Sequence, residues 1–426
     1  MDVDFKTEGR GYRGEPSVSP DRSPPALGPG GTYDAIIIGA GPAGSMCALL
    51  LARAGWSVAV IEKASFPRRK VCGEFISASA LSLIAQARAA DAVLARAGPE
   101  IREVGFYAGN RIVTAPLPAY AGVMQYGRAL GREHLDAALL DEATRAGAAV
   151  WQPWAVESTG CDGDMLVCRA RNADTGERVE LNAAFVIRAH GSVDTGRLRV
   201  PGVITGKRAS DLLAFKTHFT GGALPPAQMP LLAFPGGYSG FVHTDGGRVS
   251  VSCCIRRDAL AAVRRAAPGT SAGEAVWNRV LETCRGAREA LRSAVQEEAW
   301  LAAGPLRPGM RAAPSDGTLA VGNAMGEAEP SVAEGITIGI QSASLLSGHL
   351  LRANRSQTAA GRAAIACDYD AAYRRHFSQR IRWSRVVGRL TMNAHAAGVA
   401  AAVMTHVPRL LTLGAAWSGK KGVAAA

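Results

Sequence analysis

The chain has 426 residues, of which 48% are apolar and 20% charged, a composition that excludes disorder over most of its length and suits two or three structural regions. Its 48 basic and 36 acidic residues give a net charge of +12, which favours anionic partners such as nucleotide phosphates, acyl carriers or a lipid surface. No basic run is interleaved with aromatic residues, so nucleic acid is not an expected partner. The eight Cys form neither CxxC pairs nor zinc spacings with His, which argues against a disulfide or metal scaffold.

The N-terminal leader, residues 1–32, is polar and rich in Pro and Gly, and it lacks the apolar core of a signal peptide. We therefore predict that this leader is disordered and that the protein is cytoplasmic. Order is predicted to begin at Tyr33, where the run YDAIII has the short, β-branched pattern of a buried parallel strand.

A glycine-rich turn follows this strand and precedes a helix, in the pattern Gly39-x-Gly41-x-x-Gly44. Gly39 permits the tight turn, Gly41 leaves room for a pyrophosphate beside the backbone, and Gly44 allows close packing of helix and strand. The next strand, SVAVIE, ends at Glu62, where a carboxylate can accept hydrogen bonds from ribose hydroxyls. The pattern predicts a dinucleotide site in which the helix N-terminus faces the phosphates.

Three later segments have clear periodicity. Residues 132–147 have the spacing of an amphipathic helix that packs on the sheet, and its buried face is predicted to carry Leu135, Leu139, Leu140 and Ala143. FVIRAHG, residues 185–191, predicts a further strand that ends at a Gly turn. Residues 211–256 contain strand-like runs separated by Gly and Pro, which are typical of an antiparallel sheet, and residues 271–296 are predicted to be helical.

The C-terminal region is predicted to be helical. Its segment 398–417 is apolar, but His406, Pro408 and Arg409 interrupt it, so a membrane-spanning helix is not expected. Two alternatives remain open. The segment is either a helix pair that caps an active site or an interfacial helix with the basic tail at residues 420–421 on a membrane surface.

A second glycine-rich stretch, VGNAMGEAEPSVAEGITIGIQSA, begins about 280 residues after the first and leads into a helix. An extended dinucleotide needs such a second anchor because its two ends lie far apart. Together with the N-terminal GAGPAG, this stretch resembles the flavoprotein monooxygenase and geranylgeranyl reductase superfamily over residues 33–345. The resemblance implies FAD as the cofactor. The matching positions of the late motif are Gly322, Asn323, Pro330, Glu334, Gly335 and Ile336. Asn323 stands where the family usually has Asp, and its amide can still hydrogen-bond a ribityl hydroxyl.

The same resemblance implies further cofactor contacts. The family's middle Asp-Gly appears as His190-Gly191, which either handles the cofactor or is a structural turn. Arg132 matches an Arg that contacts the pyrophosphate region, with a surface Arg as the alternative. The basic segment 66–75 is similar to the reductase-like branch, in which Cys72 sits near the ribityl chain as a packing residue rather than a redox centre. The full predicted set is Gly39, Gly41, Pro42, Ala43, Gly44, Glu62, Lys63, Arg69, Cys72, Gly73, Arg132, Val156, Gly191, Gly322, Asn323, Gly335 and Ile336.

The predicted fold class is α/β, in which a Rossmann-like FAD-binding domain of the glutathione-reductase type is combined with an antiparallel-sheet substrate domain and C-terminal helices. The FAD-binding domain is predicted to be discontinuous, at residues 33–107, 128–205 and 300–350. The substrate domain is predicted at residues 108–127 and 206–299, and the helical region at residues 351–426.

Within the family, three chemistries are open. Hydroxylation or epoxidation of an apolar aromatic, polyketide or isoprenoid-like substrate is favoured, and hydride transfer to a carbon–carbon double bond is the alternative. Halogenation is weakest because Trp151 and Trp154 do not form the WxWxIP motif of flavin halogenases. An electron-transfer flavoprotein without a small substrate is a further alternative.

The expected partners and pocket follow from this assignment. No second GxGxxG follows a strand, so NAD(P)H is expected to bind only transiently as reductant. The expected substrate is a small apolar molecule, free or bound to a carrier protein, with peripheral membrane contact through the C-terminal helices. No catalytic residue is assigned, although His218 and Tyr238 are the best general acid/base candidates by residue type. The candidate pocket wall is Phe215, Lys216, His218, Phe234, Tyr238 and Phe241.

Overall fold

The fold is described from a computed structural model and covers residues 32–192, 206–353, 355 and 358–417. The predicted disordered leader, except Thr32, and the basic tail at residues 420–421 lie outside the described residues. The strands are β1 Thr32–Ile38, β2 Val58–Ile61, β3 Phe75–Ile76, β4 Glu103–Ala108, β5 Arg111–Pro116, β6 Arg128–Ala129, β7 Ala149–Trp151, β8 Trp154–Asp162, β9 Met165–Asn172, β10 Arg178–Arg188, β11 Leu212–Thr220, β12 Gln228–Phe234, β13 Gly237–His243, β14 Val249–Arg256, β15 Val295–Gln296, β16 Leu301–Leu306, β17 Gly309–Met310, β18 Leu319–Ala320 and β19 Gly326–Glu327. The helices are α1 Pro42–Arg53, α2 Ala78–Gln86, α3 Ala90–Leu94, α4 Arg132–Arg145, α5 Arg257–Ala266, α6 Ala272–Thr283, α7 Arg285–Ala290, α8 Gly335–Arg352, α9 Ala359–Met392, α10 Ala394–His406 and α11 Arg409–Trp417.

The first sheet is built around the predicted βαβ unit. Its order is β7-β2-β1-β10-β9-β8, with β18 also paired to β10. Strands β7, β2, β1, β10 and β18 run parallel, and β9 and β8 continue the sheet antiparallel. Side chains alternate between its faces. Ala35 and Ile37 join the core formed with α1, α4 and α8, whereas Ile36 and Ile38 pack with Trp151 on the opposite face.

Helix α4 confirms the amphipathic pattern predicted for residues 132–147. All four residues of the predicted face are buried in the core against the sheet: Leu135, Leu139, Leu140 and Ala143. The helix ends at Arg145, and the positive φ of Gly147 turns the chain into β7.

The second sheet has eight strands in the order β15-β11-β14-β13-β12-β4-β5, with β16 paired to β11. Strands β11 to β14 form the antiparallel sheet predicted for residues 211–256, and β12 also pairs in parallel with β4. One face packs on α5, α6 and α7 through a cluster that includes Phe215, Phe241 and Trp277. The other face, which carries Tyr238 and Cys254, points towards the first sheet.

The structure corrects several predicted boundaries. The second sheet begins with β4 at Glu103 and includes β16, although residues 103–107 and 301–306 were assigned to the FAD-binding domain. The helix predicted at residues 271–296 is two helices, because the extended backbone of Cys284 separates α6 from α7 and the chain then enters β15. Helix α5, which follows β14, was not predicted.

The C-terminal helices close one side of the molecule. Helix α9 joins the main core through Tyr373, Phe377 and Ile381, and α10 contacts β4 and β5. Among the described residues, no single helix is long and apolar enough to cross a membrane. Helices α10 and α11 are long and apolar enough only when they are taken together, and they are bent by 115° relative to each other.

Candidate cofactor and substrate cleft

A cleft of about 490 Å³ lies between the carboxyl ends of the parallel strands, the second sheet and the C-terminal helices. This is the edge at which open α/β sheets bind ligands. Eleven predicted cofactor residues lie on its wall: Gly41, Pro42, Ala43, Cys72, Gly73, Arg132, Gly191, Gly322, Asn323, Gly335 and Ile336. The cleft therefore joins two glycine-rich segments that are about 280 residues apart in the chain.

The first glycine turn is closely packed at two of its glycines and open at the third. Gly39 has φ +106°, and a Cβ there would stand 2.7 Å from the Ala189 carbonyl oxygen. A Cβ on Gly44 would stand 1.9 Å from the Gly39 oxygen, so neither position accepts a side chain. A Cβ on Gly41 would meet only the Arg132 Nη2, at 3.7 Å. The space above Gly41 is therefore free for a ligand at the α1 N-terminus.

Cationic side chains stand beside this open space. Arg132 begins α4 and makes a bidentate pair with Asp136, with both contacts at 2.7 Å. Arg68 contacts the same carboxylate at 3.1 Å, so a buried carboxylate holds both guanidinium groups in place. The Lys70 Nζ lies 3.4 Å from where a Cβ on Gly191 would stand, and Lys70 also lines the cleft. Positive charge at a helix N-terminus suits a pyrophosphate.

Glu62 closes the β2 end of the turn. Its carboxylate accepts the backbone N–H of Ala40 at 2.9 Å and that of Ala64 at 3.1 Å, and Arg68 lies 3.8 Å away. These contacts hold the carboxylate next to the glycine turn, where the sequence predicted a ribose contact. Whether Glu62 binds a ribose stays a prediction.

Three other predicted contacts lie off the cleft wall. Lys63 is exposed beyond β2, and Val156 packs against the outer core under β8. Arg69 forms an ion pair with Glu298, which directs its guanidinium towards the second sheet. The cofactor roles of these residues remain untested predictions, and the cleft wall gives them no support.

The second glycine-rich segment forms the far end of the cleft. Gly322 has φ +61°, and the Asn323 Nδ2 donates to the Ser192 Oγ at 2.8 Å. Gly335 begins α8, and a Cβ there would meet nothing within 4 Å. Gly191, with φ +85°, turns the chain between the two ends of the cleft.

These features fit an extended dinucleotide such as FAD. Gly41 and Gly335 are two glycines on the wall beside which a methyl group would find open space, and each lies at the N-terminal end of a helix. Arg132 and Lys70 supply positive charge at one of these ends. A diphosphate at α1 and a polar chain running towards α8 match this arrangement in charge and direction.

Glu74 lies on the cleft wall at the centre of a buried charge network. Its backbone has the uncommon φ of +61°. Its carboxylate accepts from the Lys216 Nζ, from the His218 Nε2 at 3.0 Å and from the Arg132 backbone N–H at 3.0 Å. The side chains of Glu74, Lys216 and His218 are fully buried. The network therefore joins α4, which packs on the first sheet, to β11 of the second sheet.

The charges of this network set its protonation. Burial alone would raise the pKa of Glu74, but Lys216 and the hydrogen bond from His218 outweigh burial and lower that pKa to about 2. Burial would lower the pKa of His218, yet its hydrogen bonds to Glu298 and Glu74 raise it. Glu74 is therefore a fixed anion at neutral pH.

Tyr238 and Glu329 form a buried pair beside the cleft. Tyr238 lines the cleft, and its hydroxyl donates to the Glu329 Oε1. Burial raises the pKa of Glu329 to about 7, and it raises the pKa of Tyr238 well above 10. The Ser384 Oγ accepts the Glu329 backbone N–H at 2.9 Å, which ties the pair to α9. A neutral phenol and a carboxyl group that titrates near pH 7 are suited to proton transfer.

The structure separates the predicted pocket wall into two groups. Tyr238 and Phe241 contribute to the cleft, although the Phe241 ring packs against Trp277 on the other face of the sheet. The remaining four do not line the cleft: Phe215, Lys216, His218 and Phe234. His218 is thus a partner of Glu74 rather than a group that faces the cleft, which corrects its placement on the wall.

A further cluster of ionisable side chains lies at the N-terminal end of α4. Glu133, His134 and Asp245 place one ligand atom each within 4.8 Å of the others. Arg248 forms ion pairs with Glu133, at 2.9 Å, and with Asp245. An arginine therefore already supplies the positive charge at this cluster.

Sequence reasoning missed Glu74 and Glu329. Glu74 directly follows the predicted Cys72-Gly73 pair, and Glu329 lies inside the late motif. A carboxylate inside a motif that approaches a cofactor was the available signal. The partners that define both roles come from the second sheet, which no local pattern connects to these motifs.

Comparisons with known proteins show an FAD-binding domain. The sequence profile of the family described as FAD binding domain matches residues 32–363. A menaquinone reductase of Mycobacterium tuberculosis is 37% identical over 119 residues, which are 27% of this chain and 28% of that protein. The chain therefore aligns with about a quarter of the length of this curated relative.

Two longer matches concern a lipid reductase and a halogenase. Digeranylgeranylglycerophospholipid reductase 2 of Methanopyrus kandleri is 27% identical over 320 residues, covering 71% of this chain and 73% of that protein. The structure of the myxobacterial chondrochloren halogenase superposes with a TM-score of 0.72 at 20% identity, over 92% of this chain and 94% of the other. At that identity the superposition shows a shared fold.

Proposed function

Because the chain belongs to the FAD binding domain family, we propose that it is an FAD-dependent oxidoreductase that reduces carbon–carbon double bonds of an apolar, isoprenoid-like substrate. The observation that carries this proposal is the Tyr238–Glu329 pair on an otherwise largely apolar cleft. Saturating a double bond requires a proton as well as a hydride, and this pair is a proton source at the cleft wall. The similarity to two curated reductases supports the same class of reaction.

The cofactor would be held at both ends of the cleft. The open space above Gly41, with Arg132 and Lys70 beside it, would bind the pyrophosphate. Asn323 and the α8 N-terminus at Gly335 would bind the other end of the cofactor. Bound FAD, reduced by transiently bound NAD(P)H, would supply the hydride for one carbon of the double bond.

The protein itself would supply the proton. Tyr238 is neutral at physiological pH, so its Oη can give a proton to the second carbon of the double bond. Glu329, which is protonated below about pH 7, returns a proton to the Tyr238 Oη. Apolar residues of the second sheet and the C-terminal helices line the cleft, and such surroundings strengthen the hydrogen bond between Tyr238 and Glu329.

Glu74 acts differently. Its carboxylate is held as an anion by Lys216 and His218. We assign it a positioning role, because it fixes the Cys72-Gly73 segment of the cleft wall relative to α4 through the Arg132 N–H.

Monooxygenation of an apolar aromatic, polyketide or isoprenoid-like substrate is the second candidate. The enclosure of the cleft by α10 and α11 favours it, because oxygenation by a flavin also needs a site that excludes water. Halogenation is not proposed, since Trp151 and Trp154 pack on each other in the outer core of the first sheet at a ring separation of 5.4 Å.

One experiment separates the two candidates. The FAD-loaded protein is incubated with NADPH or NADH and a polyprenyl quinone or polyprenyl lipid, with and without oxygen, and the products are analysed by mass spectrometry. Gain of two hydrogens, with or without oxygen, supports the reductase. Gain of one oxygen atom, only in air, replaces it with the monooxygenase.

The proton source is tested by Tyr238→Phe, with Tyr126→Phe, which lies away from the cleft, as the matched control. We expect kcat to fall by about 100-fold or more in Tyr238→Phe, with KM little changed. In the unmodified enzyme, activity should fall as the pH rises through about 7, where Glu329 loses its proton. Equal kcat values for the two variants would contradict the assignment.

A further inference from the structure

Exposed apolar side chains are concentrated on the last three helices. Of the twelve large hydrophobic side chains that are exposed among the described residues, eight lie between residues 383 and 413, with exposed fractions of 41% to 54%. They are Trp383, Val386, Leu390, Val399, Val403, Val407, Leu410 and Leu413. We call these eight residues the C-terminal apolar patch. Such a concentration marks an interaction surface.

Helix α10 buries small residues and exposes two of its valines. Ala397 and Ala401 are buried against the second sheet, in a cluster with Phe106 and Ala233. The patch valines of this helix, Val399 and Val403, are four residues apart and so lie on one face, and Val407 directly follows the last helical residue. Small residues attach the helix to the protein, while the valines remain available to another partner.

The charge of this region favours an anionic partner. From residue 371 to residue 426 the sequence contains nine Lys or Arg and no Asp or Glu, so most of the net charge of +12 lies in this part of the chain. Arg382, Arg385, Arg389 and Arg409 are exposed next to patch residues. Apolar side chains flanked by arginines suit the headgroup region of an anionic bilayer, where each cation near the surface adds to the attraction.

The patch is continuous with the cleft. Leu390 of α9 and Leu410 of α11 are exposed members of the patch, and both also line the cleft. Met404 of α10 lines the cleft between them. A surface that covered the patch would therefore lie against the part of the cleft that these helices line.

We propose that the C-terminal apolar patch docks the protein on the surface of an anionic phospholipid bilayer. Helix α10 has 13 residues and α11 has 9, both fewer than the roughly 20 needed to span a bilayer. The 115° bend lets both helices lie along one interface. Docking places the cleft against the lipid. This consequence for the substrate rests on the proposed function: an apolar substrate would enter the cleft directly from the bilayer, without crossing water.

The test is co-sedimentation of the FAD-loaded full chain with vesicles of phosphatidylcholine alone or mixed with phosphatidylglycerol. We expect binding to the mixed vesicles, weaker binding to the neutral ones, and a loss of binding at high salt. Val403→Ser combined with Val407→Ser should weaken partitioning by at least about tenfold, since two exposed valines no longer enter the lipid. Neither residue lines the cleft.

The control is Val295→Ser, which changes an exposed valine on the second sheet and should bind as the unmodified protein does. Flavin absorbance and thermal unfolding verify that each variant is folded. Equal vesicle binding by the double variant and the control would overturn the proposal. So would a dimer in sedimentation velocity that the double variant dissociates, because a second copy would then cover the patch. Binding is measured without turnover, so failure of the proposed reaction would leave this result intact.

Discussion

Replacing Glu329 with Gln should remove a pH-dependent loss of stability. The pKa of Glu329 is raised from 4.5 to about 7, mainly by burial. Glu327 contributes to this rise, whereas Tyr238 and the arginines at 385 and 389 oppose it. A carboxyl group whose pKa is higher in the folded state stabilises the fold fully below its unfolded-state pKa, and it loses this contribution as the pH rises through the folded-state value. The difference between 4.5 and about 7 corresponds to about 3 kcal/mol.

The assay is urea unfolding of the FAD-saturated protein at several values from about pH 4.5 to about pH 8. Relative to Glu329→Gln, the free energy of unfolding of the unmodified protein should fall by about 3 kcal/mol over this range, mostly between about pH 5 and about pH 7. Glu297→Gln is the control, since Glu297 is exposed and its removal should leave the pH dependence unchanged. If the curves for the unmodified protein and Glu329→Gln run parallel, burial does not raise the pKa of this carboxyl group.

Three further outcomes are expected. Gly41→Ala should weaken FAD binding in calorimetry by at least about tenfold, because the methyl group occupies the space next to the α1 N-terminus. The thermal unfolding of the FAD-free protein should not change, and an unchanged FAD affinity would place the pyrophosphate elsewhere. Gly44→Ala should lower the free energy of unfolding by about 3 kcal/mol or more, since its Cβ would stand 1.9 Å from the Gly39 oxygen, and a loss below about 1 kcal/mol would refute that packing argument. Lys216→Met should lower the free energy of unfolding in urea by about 3–5 kcal/mol, because the carboxylate of Glu74 loses its buried cation. Adding Glu74→Gln should restore part of this loss, and the absence of any recovery would contradict the pairing of Lys216 with Glu74.

Local patterns predicted the first glycine turn well because its requirements are local. Gly39 needs a positive φ, and Gly44 must lie close to Gly39, so the spacing alone indicates a strand, a turn and a helix. The same holds for α4, whose 3.6-residue period identifies its buried face. In each case the physical constraint acts within about one helical turn of the residue concerned.

The remaining site residues depend on contacts that sequence spacing does not encode. Lys216 and His218 alternate along β11, which shows that they share a face, but their common partner Glu74 lies more than 140 residues earlier. Tyr238 was a candidate by residue type alone, and its pairing with Glu329 spans 91 residues. Those roles required the relative placement of two sheets.

The sheet boundaries were mispredicted for a related reason. Strands β4 and β16 are short, and in the chain they lie next to segments that were assigned to the FAD-binding domain. In the structure β4 pairs with β12 and β16 pairs with β11, so both belong to the second sheet. Strand patterns indicate that a segment is extended but not which neighbour it pairs with.

The separation of the two glycine segments also affects how the protein is made. At about 5–20 residues per second, a ribosome needs roughly 15–60 s to add the residues between Gly41 and Gly322. During this interval α1 lacks α8, whose Ile338, Ile340 and Leu346 bury the same core. We expect a nascent chain to expose this apolar surface of α1 until α8 has been synthesised, and to retain the cofactor only afterwards. We therefore expect the yield of folded protein to depend on FAD that is available late in translation.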